Sequence, residues 1–125
     1  IMSYMCFRNP LNHPSVFYRK SAILAVGGYP ILYPEDYFLW IKLAKQDCQF
    51  ANLPETLVIM RANDNFYKRR GITILKGELA VYLMLYRNNF IGVTKLIGFS
   101  VVRIMLRLGG RHMTKWVYHL SRTKE

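Results

Sequence analysis

The 125 residues predict an α/β layer over residues 1–71, followed by a helical tail over residues 72–125. Three observations lead there. Up to Gly71, short helical and extended patterns alternate with short connections, which is how α/β layers are built. From Ile72 onward the strand signals stop and apolar residues recur at helical spacing. The charge is also uneven: 18 Lys and Arg against 7 Asp and Glu give a net +11, with 9 basic and 5 acidic residues before Ile72 and 9 and 2 after it.

Taken in order, residues 1–20 read as an extended entry. "NPLNHP" is turn chemistry, and "SVFYR" is a short strand of β-branched and aromatic residues. "RKSAILAVGGY" predicts a short helix capped by Ser21, with Ile23, Leu24 and Val26 on its apolar side and Gly27-Gly28 ending it in the left-handed conformation. Residues 35–46 predict a second helix, in which Leu39, Trp40, Ile41, Leu43 and Ala44 form a wide apolar face and Lys42 and Lys45 point outward. "TLVIMR" predicts a strand buried on both faces, and "RANDNFYKRRG" a basic loop. In the tail, "ITILKGELAVYLMLYRNN" and "TKLIGFSVVRIMLRL" predict two helices, Gly109-Gly110 ends the second, and "RHMTKWVYHLSR" predicts a third.

The composition, 52% hydrophobic and 14% aromatic, suffices for one modest core. The chain opens at Ile1 with no initiator Met and no signal-peptide layout, so the expectation is a piece of a longer protein. Cys6 and Cys48 stand far apart and outside any metal-ligand spacing, which predicts two free thiols and a cytoplasmic setting. Glu78, Arg87, Lys95 and Arg103 interrupt every apolar run before it reaches the roughly 18 residues needed to span a bilayer. The basic tail makes nucleic acid, anionic lipid and pyrophosphate-bearing substrates the partner classes to weigh.

The residues with most chemical interest are Glu35 and Asp36 in "YPEDYFLW". Acids in the first turn of a helix are favoured by the helix dipole, by about 0.3–1 kcal/mol. Local spacing alone therefore accounts for them as helix initiators and does not separate that role from catalysis.

"HPSVFYRKSAILAVGGY", "PEDYFLW" and "FANLPETLVIMR", in that order, resemble the second half of the catalytic domain of family 2 glycosyltransferases, which have the GT-A fold. The likeness is close over residues 9–71 and looser beyond. It implies inverting transfer of a sugar from a nucleotide-sugar donor, with Asp36 as the general base and Glu35 in support. It also suggests His13 as a contact to acceptor or phosphate, and Trp40 as a wall for the sugar. Against these stand plainer readings, His13 as a turn cap and Trp40 as a core aromatic. Arg61, Arg69 and Arg70 would bind the donor diphosphate, since arginine pairs bidentately with phosphate oxygens; a solvated basic turn is the alternative. The family's divalent metal, Mn²⁺ or Mg²⁺, is held through an Asp-x-Asp motif in the first half of the domain. No such motif occurs here, so metal ligands are expected outside this chain, which alone should not catalyse. Phe38 and Lys42 depart mildly from the pattern, away from the proposed chemistry.

In the tail, Arg103, Arg107, Arg111 and Lys115 recur every four residues beside a long apolar run. Such a helix can lie in a membrane interface with its arginines on anionic headgroups, or pack as a hairpin on the domain with its basic side in water. The resemblance extends to bacterial enzymes that build O-antigen or capsule repeat units on undecaprenyl pyrophosphate. It implies a lipid-linked saccharide acceptor and a protein peripheral to the inner membrane, contacting it through residues 95–115. A nucleic-acid-binding module and a non-catalytic membrane module are the competing readings. The first lacks any recognised motif, and the second leaves "PEDYFLW" without a reason.

Overall fold

The computed structural model describes residues 1–59 and 74–108. Those residues form five α-helices and one 3₁₀ turn: α1 (Met2–Met5), the turn His13–Ser15, α2 (Lys20–Ala25), α3 (Glu35–Lys45), α4 (Leu75–Arg87) and α5 (Val93–Leu108). Among the described residues there is no β-strand. The helical part of the α/β expectation is thus present, and no strand lies among the described residues.

α3 is the centre of the core. Tyr37, Phe38, Leu39, Trp40, Ile41, Leu43 and Ala44 are all buried, more than one face of a surface helix supplies. The helix can bury so much because α2 and α4 both pack on it. Ile23 comes from α2, and Val81, Tyr82 and Leu85 from α4; Met5 and Ile91 complete the cluster. Residues on either side of position 72 thus share one hydrophobic core. α5 packs on α4 and has no buried residue of its own.

The helix boundaries follow from local chemistry. α2 begins at Lys20 behind an extended Arg19, so Ser21 lies inside the helix rather than capping it. Its end is as the sequence predicts: Gly27 and Gly28 have φ of 80° and 71°, and their N–H groups donate to the Leu24 and Ile23 carbonyls. α3 starts directly behind Pro34, which follows a cis peptide bond and has an extended ψ of 111°. Gly77 of α4 lies against this entry, where a Cβ would come within 2.3 Å of the Tyr33 carbonyl oxygen. Only a residue without a side chain permits that approach. Lys42, expected to point outward, is half-buried and donates to the Val26 carbonyl at 3.2 Å, at the C-terminus of α2.

Three further expectations yield to the structure. The entry is not extended throughout, because α1 forms there and buries Met5. In "SVFYR", Ser15 ends the 3₁₀ turn, and the extended residues after it have no strand partner among the described residues; Phe17 is 97% exposed. In "TLVIMR", Leu57, Val58 and Ile59 are irregular and exposed, while Met60 and Arg61 lie outside the described residues. β-propensity needs a partner strand to complete a ladder, and none is among the described residues. The predicted loop at 61–71 and the helix after Gly110 also fall outside them.

Candidate active site

Asp36 and Glu35 occupy the first turn of α3, half-buried. Each oxygen of the Asp36 carboxylate accepts one hydrogen bond at 2.8 Å: Oδ1 from the backbone N–H of Tyr37 and Oδ2 from the side-chain amide of Asn9. Asn9 is itself oriented, because its Oδ1 accepts the Leu11 N–H at 3.2 Å in an Asx turn across Pro10. A carboxylate held this way is in one plane, with lone pairs left on both oxygens to take a proton.

His13 opens the 3₁₀ turn and lies 3.1 Å, Nε2 to Oη, from the Tyr29 hydroxyl, with the two rings 5.4 Å apart. Its ring also meets Trp40 edge-on at 6.4 Å. Tyr18 closes on Tyr29 from the other direction, ring centroids 6.5 Å apart. Partial burial, the hydrogen bond with Tyr18 and that phenol's proximity, and the nearby Asp36 and Glu35 carboxylates push the Tyr29 phenol up to about 12. Tyr29 therefore holds its proton at neutral pH. The arrangement is a polar aromatic group beside two acids.

Of the sequence-derived candidates, the structure brings together Asp36, Glu35 and His13. Trp40 is 1% exposed and belongs to the core. Burial leaves its ring no open face to wall a sugar, and it meets His13 edge-on instead. Its Nε1 is buried without a hydrogen-bond partner among the described residues. Arg61, Arg69 and Arg70 lie outside the described residues. Asn9, Tyr18 and Tyr29 escaped the sequence reading. The available signal was the Asn-Pro pair at 9–10, which marks a turn but not what the asparagine amide faces. Among the described residues, no group of three or more His, Cys, Asp or Glu side chains could hold a metal ion.

Behind the acids, α4 and α5 form a hairpin joined by charge. Arg107 makes a two-pronged contact to Glu78 of α4, Nε to Oε2 at 2.9 Å and Nη2 to Oε1 at 2.5 Å. Arg103 donates to the Tyr82 hydroxyl at 2.8 Å and to the Phe7 carbonyl at 3.4 Å, and lies 3.6 Å from Glu78. Burial works against the Arg103 charge, but Tyr82 and Glu78 outweigh it and hold the guanidinium above its ordinary range. The expectation that these arginines lie outward on headgroups is therefore reversed. They turn in because Glu78 stands opposite, while Val93, Ile97, Val101, Val102, Met105 and Leu108 are exposed. Arg111 and Lys115 are outside the described residues. No described helix is long and apolar enough to cross a membrane.

Comparison with known proteins gives three bacterial glycosyltransferases. The chain is 38% identical over 112 residues to an uncharacterized glycosyltransferase of Haemophilus influenzae, covering 89% of this chain and 40% of that protein. It is 36% identical over 121 residues to a UDP-Gal:alpha-D-GlcNAc-diphosphoundecaprenol beta-1,3-galactosyltransferase of Escherichia coli, covering 94% and 44%. A third relative is an amylovoran biosynthesis glycosyltransferase of Erwinia amylovora, 34% identical over 127 residues, covering 98% and 47%. The chain thus spans under half the length of these relatives. No family model matches the chain, and no solved structure does.

Proposed function

We propose that this homologue of bacterial glycosyltransferases carries the acceptor side of a sugar-transfer site of GT-A type, with Asp36 as the general base. The observation that carries the reading is the Asp36 carboxylate, mounted on a helix start and held by a donor on each oxygen. In the reaction an acceptor hydroxyl oxygen attacks the anomeric carbon of a nucleotide-sugar. As that C–O bond forms, the hydroxyl proton passes to Asp36. The bond from the anomeric carbon to the diphosphate oxygen breaks on the opposite face, and the nucleoside diphosphate leaves with the electron pair, so configuration inverts. A carboxylate suffices because the alcohol becomes acidic only as the new bond forms.

Glu35 supports the same turn, and His13 with Tyr29 offers polar and aromatic contact to the acceptor ring. The acceptor we infer is a saccharide on a polyprenyl diphosphate, in bacterial surface polysaccharide synthesis. Support comes from the E. coli relative, whose name specifies a diphosphoundecaprenol-linked acceptor. Such an acceptor is presented at a bilayer, and the exposed apolar side of α5 suits a place in the cytoplasmic membrane interface. In the complete enzyme, donor diphosphate contacts by Arg61, Arg69 and Arg70, and a divalent cation, belong to the same reading. The described residues supply no ligand set for that cation.

The test is transfer from a panel of radiolabelled nucleotide-sugars to a short-chain GlcNAc-diphospho-lipid, by the complete protein as wild type and as Asp36→Asn. The expected result is a loss of about 10²–10⁴-fold in kcat for the variant. Undiminished transfer would return the acids to the role of helix initiators.

A further inference from the structure

We propose that Asn9 is the positioning residue of the site: it sets the plane of the Asp36 carboxylate, so its loss lowers kcat and leaves acceptor binding in place. This inference rests on Asp36 being the base. Three features of the structure support it.

The first is the identity of the atom that faces the acid. Amide oxygen and nitrogen are interchangeable by shape, but their partners here decide between them. The Leu11 N–H can only donate, so the Asn9 atom facing it is the oxygen. The –NH₂ therefore faces Asp36 Oδ2, as a donor to an acceptor.

The second is what the bond does to the carboxylate. Oδ1 is already tied to the next residue's N–H, a contact inside the acid's own turn that moves with the helix start. The bond from Asn9 adds a second anchor, from outside that turn. It comes from a segment 27 positions earlier in the chain, so it sets the acid against the rest of the molecule rather than against its own turn.

The third is the mount. The segment bearing Asn9 is held on the other side too, where the Phe7 carbonyl accepts the Tyr82 hydroxyl at 3.2 Å and Arg103 at 3.4 Å. Asn9 is thus fixed from α4 and α5 before it reaches α3. A positioned group must be held to within about half an ångström to be effective, and a misplacement of about 1 Å can cost about 10²-fold.

The test uses the complete protein and the same transfer assay, with Asn9→Asp, Asn9→Ala and Asp36→Asn. Asn9→Asp is the decisive variant. It keeps the volume and the oxygen that accepts from Leu11, and replaces only the donor with a second carboxylate that repels the first. The expected result is a fall in kcat of about 10²-fold for Asn9→Asp, with acceptor KM within about twofold and the variant still folded at the assay temperature. Asn9→Ala, which also loses the turn contact, should fall at least tenfold in kcat and melt lower. If Asn9→Asp keeps kcat within twofold, or loses kcat/KM wholly through KM, the inference is overturned while the base reading stands. If Asp36→Asn itself transfers sugar normally, both fall together, and that arm identifies the base reading as the cause.

Discussion

Tyr29 holds its proton to about 12, because it is partly buried beside Tyr18 and the two acids, whereas an unfolded phenol titrates near 10. Between those values the unfolded chain has released a proton that the folded chain still binds, so stability falls as pH rises. Below pH 10 both states are protonated and the residue contributes no pH dependence. Thermal melts between pH 9 and 12 should show this decline, and Tyr29→Phe should make it shallower. Part of the decline should remain, since burial holds the Tyr37 phenol well above its ordinary range as well. At this scale the sequence was informative about what carries charge and silent about what meets it. The position of Asp36 behind a proline is legible in "YPEDYF"; that Asn9 reaches it is a product of chain path, and no local pattern encodes it.

The helices themselves were readable, because apolar spacing in α3, α4 and α5 is set by burial over whole turns. Their rotation was less so. Arg103 and Arg107 share a face by their four-residue spacing, yet that spacing is the same whether the face is in or out. Glu78, across the hairpin, decided it. Replacing Glu78 with Ala should therefore cost about 2 kcal/mol of stability, since two partly buried guanidinium groups lose their carboxylate; denaturant unfolding would measure it. No strand forms at "SVFYR" or at residues 57–59 among the described residues, because a strand is a property of a pair and each segment has only its own half of the evidence. Glycines separate in a similar way. Gly77→Ala should lose about 1–3 kcal/mol, as a Cβ there meets the Tyr33 backbone. Gly98→Ala on α5, where a Cβ meets nothing within 4 Å, should gain up to about 1 kcal/mol. Melting curves of the two variants test the contrast directly.

Across the whole molecule, residues before and after position 72 bury into a single cluster, so the hairpin is part of the body that carries the acids. α5 then turns Arg103 and Arg107 toward that body and an apolar side away from it. If this side rests in lipid, Ile97→Glu with Val101→Glu should weaken co-sedimentation with phosphatidylglycerol-containing vesicles by tenfold or more, judged from the apolar area withdrawn. Added salt should do less, because Arg103 and Arg107 are already engaged within the fold; a loss driven mainly by salt would point back to headgroup contacts. Sugar transfer to a water-soluble acceptor should survive the double substitution.

The clamp on the Phe7 carbonyl has a practical consequence for anyone wishing to shorten this protein. Its greasy last described helix invites truncation after Asn89, as a remedy for poor solubility. Such a deletion would discard Arg103 and Phe99, the latter packed edge-on against Phe7 at 5.4 Å. Half of the strut behind Asn9 would go with them, leaving the Tyr82 hydroxyl alone on the Phe7 carbonyl. Replacing the outward Val93, Ile97 and Val101 by polar side chains is the sounder route, because it changes the coat of the helix and keeps its grip.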